Sequence, residues 1–113
     1  MEFSGRRVLV TGAGKGIGRA AVKRLCDAGA DVVALTRSFA DLESLKAETG
    51  CETIACDLAD PEATRRAALA AQPVDMLVNN AGIAALESFL DTSVATFDEV
   101  IAVNTRAPMI VAQ

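Results

Sequence analysis

Four glycines lie close together near the start of the chain, in the segment Thr11 to Gly18, which reads TGAGKGIG. The segment follows the apolar run Val8 to Val10 and precedes residues with helical spacing. Glycine has no Cβ, so the backbone here can turn tightly and approach a ligand closely. The following helix directs unpaired N–H groups and the positive end of its dipole into this turn, which suits a pyrophosphate. The segment therefore predicts a phosphate-binding loop rather than a flexible surface loop.

The spacing of the glycines separates this loop from two other phosphate-binding patterns. The Gly-x-Gly-x-x-Gly pattern would need a glycine at position 17, where the chain has Ile17. A nucleotide-triphosphate P-loop would need serine or threonine after its lysine, whereas Lys15 is followed by Gly16. The form that is present is Thr-Gly-x-x-x-Gly-x-Gly.

A second motif, Asn79-Asn80-Ala81-Gly82, comes at the end of a later apolar segment. In this order, the two motifs resemble the signatures of the short-chain dehydrogenase/reductase family, and the resemblance covers the whole chain. It implies an oxidoreductase that binds a nicotinamide dinucleotide on a Rossmann-type fold. The contacts that it implies in the first loop are Gly12, Gly14, Lys15, Gly16, Ile17 and Gly18.

The resemblance also assigns cofactor contacts to residues after the third and fourth predicted strands. Asp57 is expected to accept a hydrogen bond from the adenine amino group, while the backbone N–H of Leu58 serves the ring. The contacts implied after the fourth strand are Asn80, Ala81 and Gly82, of which the first two border the ribose. Asn79 and Thr11 are expected mostly to tie strands four and one together.

The residues after the second predicted strand indicate which dinucleotide is bound. An acidic residue there would accept hydrogen bonds from the ribose hydroxyls of NADH, whereas arginine favours the 2′-phosphate of NADPH. The strand ends in Leu35-Thr36-Arg37-Ser38, without a carboxylate. Arg37 can form two hydrogen bonds to a phosphate, and Lys15 adds a second positive charge. Either residue alone would be typical of a protein surface, but together they favour NADPH over NADH.

Catalysis by this family uses a serine, a tyrosine and a lysine, assisted by an asparagine. The tyrosine donates a proton to the carbonyl oxygen and the lysine lowers the pKa of that tyrosine. The chain contains no tyrosine, so we expect these 113 residues alone to be inactive. Asn104 matches the catalytic asparagine, and Pro108, which has no N–H, leaves the Asn104 carbonyl without a helical partner. That carbonyl is expected to hold a water linked to the lysine; the alternative is a proline kink without chemistry.

Alternating apolar runs and helical patterns would position these loops. The predicted strands run from Arg7 to Val10, Asp31 to Thr36, Glu52 to Cys56 and Val74 to Asn79. The first predicted helix runs from Gly16 to Ala28 and has Ile17, Ala21, Leu25 and Ala28 on one face. The second runs from Phe39 to Glu48, and the third starts at Asp60-Pro61. The last predicted helix carries Phe97, Val100, Ile101 and Ala107. This alternation predicts an α/β fold with a doubly wound parallel sheet. The resemblance implies the strand order 3-2-1-4.

Composition argues against several other classes of protein. The net charge is −4 and no basic face is evident, so we expect no nucleic-acid partner. Arg65-Arg66 is a short pair typical of a solvated helix face. No apolar run is long enough to span a membrane, and no signal-peptide pattern is present. Cys26, Cys51 and Cys56 lack metal-ligand spacing and there is no histidine, which predicts reduced, mostly buried thiols in a cytoplasmic protein.

The pattern at the end of the chain suggests a part of a larger enzyme. Residues 109–112 are still helical in pattern, without a capping residue, and the strand Met76 to Val78 would lie at an open sheet edge. We therefore expect residues 1–113 to be the N-terminal part of a nucleotide-binding domain, cut within its last helix. A coding sequence that continues into a fifth strand, a serine and Tyr-x-x-x-Lys would distinguish part of an enzyme from a stand-alone module.

The segments Gly5 to Val10 and Gly14 to Arg19 look most like the L-xylulose (dicarbonyl) reductase branch of the family. That resemblance implies NADPH-dependent reduction of a sugar ketone or a dicarbonyl, by a complete enzyme that is a homotetramer. Three alternatives remain: a 3-oxoacyl carrier-protein reductase, a nucleotide-binding module without catalysis, and a truncated product that does not fold alone.

Overall fold

Strands and helices alternate along the chain in the computed structural model, which describes residues 3–84, 88 and 90–113. The strands are β1 (Arg7–Thr11), β2 (Asp31–Thr36), β3 (Glu52–Ala55) and β4 (Met76–Val78). The helices are α1 (Gly16–Asp27), α2 (Phe39–Thr49), α3 (Pro61–Ala71), α4 (Val94–Ile101) and α5 (Ala107–Ala112), and a π-helical segment (Ala102–Arg106) joins the last two. β4 is shorter than the predicted Val74 to Asn79, because its pairing with β1 extends only over Val8–Val10.

All four strands are parallel and lie in the order β3-β2-β1-β4, which confirms the predicted sheet. The carboxyl ends of parallel strands lie at the same edge of the sheet. The loops that follow β1, β2, β3 and β4 therefore meet there, and these loops carry the predicted cofactor residues. Ligands of open α/β sheets bind at this edge.

Both faces of the sheet are covered, as the apolar strands required. On one face, Val8, Val10 and Val32 pack against residues of α1 and α2. On the other, Leu9 and Val33 pack against α3 and α5. The alternation of strand residues between these two clusters follows from the two-residue repeat of a β-strand.

The predicted buried face of α1 was wrong in its first turn. Ile17 is 80% exposed, while the buried residues of the helix are Gly18 and Val22. Leu25, which belonged to the predicted face, does pack against the core. The helix is turned so that the glycine, which lacks a side chain, faces the loop after β1.

Local sequence signals account for the ends of α2 and α3. The Ser38 hydroxyl accepts a hydrogen bond from the Asp41 N–H, and Gly50 ends α2 in the left-handed conformation. Asp60 caps α3 by accepting from the N–H groups of Glu62 and Ala63, with Pro61 in the first turn. These ends fall within a residue of their predicted positions.

Arg7 ties together the amino ends of three strands, at the edge of the sheet opposite the predicted site. Its guanidinium donates to both carboxylate oxygens of Glu52 (2.9 and 3.0 Å), to Asp31 (2.9 Å) and to the Ala71 carbonyl (2.9 Å). The hydrogen bonds from Arg7 hold the pKa of Glu52 below its usual value. This network fixes the spacing of β1, β2 and β3.

Cys51 and Cys56 are buried and Cys26 is half-buried, and none is in a disulfide. Burial raises the pKa of Cys26 and Cys56, which keeps both thiols protonated near neutral pH. Over residues 3–84, 88 and 90–113, none of the helices combines the length and apolar character needed to cross a bilayer.

Candidate cofactor-binding site

The loop after β1 requires glycine at specific positions. Gly12 and Gly16 have φ values of 63° and 57°, in the left-handed region that other residues rarely adopt. A Cβ on Gly12 would lie 2.7 Å from the Cα of Ala81, and a Cβ on Gly18 would overlap the Gly12 carbonyl oxygen. The glycines therefore allow the loop to pack directly on the start of α1 and on the loop after β4.

Two polar side chains connect the loops after β1 and β4. The buried Thr11 hydroxyl accepts hydrogen bonds from the N–H groups of Asn80 and Ala81, both at 3.1 Å. Asn80 Nδ2 donates to the Gly12 carbonyl at 3.2 Å. The structural role predicted for Thr11 is confirmed.

Asn79 does not have the role predicted for it. Its Nδ2 donates to the Pro108 carbonyl at 3.4 Å, so it connects β4 to α5 and not to β1. The reason is the alternation of side chains along a strand. Successive residues after β4 point to opposite faces of the sheet, and only Asn80 points towards the glycine loop.

The start of α1 is left without a side-chain cap. Lys15 occupies the N-cap position and makes no side-chain hydrogen bond to the first turn. Helices α2, α3 and α4 are instead capped by Ser38, Asp60 and Ser93. The first N–H groups of α1 are thus available to an anion, beside a glycine loop that allows close approach.

A cleft at the carboxyl edge of the sheet brings the predicted residues together in two adjoining parts. The first part, about 370 Å³, is lined by Gly12, Gly14, Lys15, Thr36, Arg37, Ser38, Asp41, Asn80, Ala81 and Gly82. The second, about 140 Å³, is lined by Gly12, Thr36, Arg37, Cys56, Asp57, Leu58, Ala81, Gly82, Ile83, Glu99 and Val103. Arg37 lies at the junction, because it lines both parts.

The remaining predicted loop residues surround this cleft without lining it. Gly16 and Ile17 form the exposed first turn of α1, and Gly18 is buried beneath the glycine loop.

In the second part of the cleft, Asp57 Oδ1 accepts from the Ala59 N–H at 2.9 Å, while Leu58 belongs to the core. The carboxylate of Asp57 is therefore held in a fixed orientation at the surface.

Asn104 lies in the π-helical segment and contacts the loop after β4. Its Oδ1 accepts from the Ile83 N–H and its Nδ2 donates to the Ile83 carbonyl, both at 2.8 Å. The helix is π-helical here, since the Ala107 N–H donates to the Ala102 carbonyl five residues earlier. Such π-helical turns are frequent at functional sites. The catalytic role of Asn104 stays a prediction.

Asp41 and Arg19, which were not among the predicted site residues, also belong to this region. No carboxylate follows β2 directly in the sequence. Asp41, in the first turn of α2, nevertheless lines the first part of the cleft together with Lys15 and Arg37. Arg19 donates to the Gly14 carbonyl at 3.2 Å from the first turns of α1. Its position directly after the last glycine of the motif was the signal available in the sequence.

Replacing Thr11 by valine is expected to destabilise the protein by about 2 kcal/mol, because two backbone N–H groups lose their acceptor in a partly buried position. The matched control is Thr11→Ser, which keeps the hydroxyl and removes one methyl group, at a cost of about 1 kcal/mol. Denaturant unfolding of both variants measures the difference. A loss in Thr11→Val that is no larger than the loss in Thr11→Ser would mean that the two N–H groups do not need the hydroxyl as their acceptor.

A family model described as short chain dehydrogenase matches residues 6–113. The chain belongs to the short-chain dehydrogenase/reductase family, as the motifs predicted.

The chain is 53% identical to the L-xylulose reductase of Bos taurus and 54% identical to the NADPH carbonyl reductase 2 of Sus scrofa, in both cases over 100% of its length. It spans about half the length of these relatives, 47% of each. Among solved structures, it is similar to a metagenomic short-chain oxidoreductase in complex with NADP, with a TM-score of 0.91 and 34% identity. That match covers 98% of this chain and 55% of the other.

Proposed function

We propose that this chain forms the dinucleotide-binding part of an NADPH-dependent carbonyl reductase. The observation that carries the proposal is the cleft, in which a glycine loop at an uncapped helix start lies beside two basic side chains, Lys15 and Arg37. The NADP complex of the similar oxidoreductase supports the choice of cofactor.

The residues of the cleft fit a phosphorylated dinucleotide. A Cβ on Gly12 or Gly18 would collide with neighbouring backbone atoms, so glycine at both positions allows the backbone to pack closely beneath the loop. The N–H groups at the start of α1 would bind the diphosphate, and Arg37 with Lys15 would bind the 2′-phosphate. Asp57 and Leu58, in the second part of the cleft, would contact the adenine, and Asn80, Ala81 and Gly82 would border the ribose.

Bound NADPH would supply the hydride that reduces a carbonyl carbon. This chain would bind and orient that cofactor. Hydrogen bonds of Thr11 and Asn80 join the loops after β1 and β4 and so fix the position of the cleft residues that these loops carry. Asn104 would fix the loop after β4 through Ile83 while its backbone carbonyl holds a water. Since the chain has no tyrosine, the proton donor would come from outside these 113 residues.

The substrate class that we propose is a sugar ketone or a dicarbonyl. The support comes from relatives at 53% and 54% identity, which are named L-xylulose reductase and carbonyl reductase. We further propose that residues 1–113 belong to one nucleotide-binding domain of a longer enzyme, because these relatives are about twice as long as the chain. The resemblance to the family supports a homotetramer, and the three cysteines, none of them in a disulfide, support a cytoplasmic location.

The protein expressed from the complete coding sequence tests this proposal. Titration with NADPH and with NADH, followed by the fluorescence of the reduced nicotinamide, is expected to show tighter binding of NADPH. L-Xylulose and diacetyl are then expected to oxidise NADPH, measured by its absorbance, faster than a 3-oxoacyl thioester does. Preference for the thioester would favour the 3-oxoacyl reductase alternative. Binding without turnover of any carbonyl would favour a nucleotide-binding module, and failure to bind either cofactor would overturn the proposal.

A further inference from the structure

Arg19 connects the glycine loop to helix α2 through one guanidinium group. From α1, its Nη1 donates to the Gly14 carbonyl at 3.2 Å and to the Asp41 carbonyl at 3.4 Å. Its Nη2 donates to the Ser44 hydroxyl at 2.8 Å and to a Glu48 carboxylate oxygen at 3.0 Å. The side chain is only 19% exposed, so these bonds form in a partly desolvated position. One residue thus bonds to the loop after β1 and to three positions along α2.

The two segments that Arg19 joins carry the two basic residues of the cleft. Lys15 follows Gly14 in the glycine loop, and Arg37 directly precedes Ser38, the N-cap of α2. Packing between these segments is close, because a Cβ on Gly14 would lie 2.9 Å from Asp41 Oδ2. The distance between Lys15 and Arg37 therefore depends on how firmly the loop is held against α2.

We infer that Arg19 is a positioning residue for discrimination between NADPH and NADH: it holds the glycine loop against α2 so that Lys15 and Arg37 act on the same phosphate. The inference rests on the proposed function. Both dinucleotides carry the diphosphate that the glycine loop binds. Only NADPH carries the 2′-phosphate, which needs the loop and the start of α2 at a fixed separation.

The chain offers a matched control for the charge of Arg19. Lys23, one helical turn further along α1, pairs with the second carboxylate oxygen of the same Glu48 at 2.7 Å. Lys23 does not line either part of the cleft. Lys23→Met therefore removes one positive charge from the same carboxylate without removing the bond to the glycine loop.

The experiment measures dissociation constants for NADPH and NADH with the protein from the complete coding sequence. Arg19→Met, which keeps an apolar side chain of similar length, is expected to weaken NADPH binding by about tenfold, equivalent to 1.4 kcal/mol, and NADH binding by less than about threefold. Lys23→Met is expected to change neither constant by more than about twofold. Arg19→Lys keeps the charge but lacks the planar fork, so we expect an intermediate loss for NADPH.

Each outcome decides between positioning and the other roles open to Arg19. Equal losses for NADPH and NADH in Arg19→Met would assign Arg19 to general stability, and full recovery in Arg19→Lys would assign the effect to charge alone; either result overturns the inference. If Arg19→Met does not fold, the NADPH to NADH ratio of Arg19→Lys decides, and an unchanged ratio overturns the inference. A wild-type protein that binds no NADPH instead overturns the proposed function.

Discussion

Replacing Gly18 by alanine is expected to weaken binding of NADPH and NADH alike by more than about 100-fold, because the added methyl group disrupts the loop that we propose binds both cofactors. The Cβ would overlap the Gly12 carbonyl oxygen and lie 2.5 Å from Asn80 Nδ2. Both neighbours are held in place by the hydrogen bond between them. The loop can only accept the methyl group by moving away from α1, which separates the glycine backbone from the helix start. Fluorescence titration of both dinucleotides measures the loss.

Gly50→Ala is the control for this prediction. Gly50 has a φ of 72° and nothing within 4 Å of the position of its Cβ, so alanine there adds backbone strain without a steric overlap. We expect a small loss of stability, about 1 kcal/mol, and unchanged affinity for both cofactors. Gly18→Ala that binds NADPH within a few-fold of the wild type would show that the loop tolerates the methyl group, and the steric account of the motif would be wrong.

Replacing Arg37 by aspartate is expected to weaken NADPH binding by about 100-fold while leaving NADH binding nearly unchanged, since the proposed charge-assisted contact to the 2′-phosphate would be lost and a repulsive charge would take its place. Arg37 lines both parts of the cleft, at the junction between the glycine loop and the residues after β3. NADH lacks the 2′-phosphate, and a carboxylate at this place can accept hydrogen bonds from its ribose hydroxyls. Dissociation constants for both cofactors at fixed ionic strength test the prediction.

Two further variants separate a local contact from a general effect of charge. Arg24→Asp makes the same change of charge at an exposed residue in the last turn of α1, away from the residues that line the cleft, and should leave both affinities unchanged. Asp41→Asn removes the carboxylate that α2 contributes to the cleft, and should strengthen NADPH binding. If Arg37→Asp weakens NADPH and NADH equally, Arg37 does not bind the 2′-phosphate.

The elements of this chain could be predicted from local signals. Apolar runs of four to six residues between helical patterns predicted the parallel sheet, and the resemblance to the short-chain dehydrogenase/reductase family implied its strand order. Ser38, Asp60 and Gly50 act within one or two turns of their own position, so their capping roles were readable without a fold. The glycine motif was readable for the same reason, because left-handed backbone at Gly12 and Gly16 is a local requirement.

The residues that meet across the site depended on the tertiary structure. Thr11 and Asn80 are 69 residues apart, and Asn104 and Ile83 are 21 apart, so their hydrogen bonds exist only once the strand order and the path of the last helix are set. The cofactor roles of the cleft residues stay predictions. The bond between the loops after β4 and β1 was predicted for Asn79 but is made by Asn80, because only the fold decides which of two adjacent side chains faces the glycine loop.

The sequence by itself determined the family, the α/β fold and the loops that form the cleft, since each depends on motifs or on periodicity along the chain. Only the tertiary structure decided which face of α1 is buried, that Asp41 enters the cleft, and that Arg19 holds the glycine loop against α2. The physical reason is that these features depend on the rotation of one helix against its neighbours. That rotation is set by packing between elements, which no local pattern encodes.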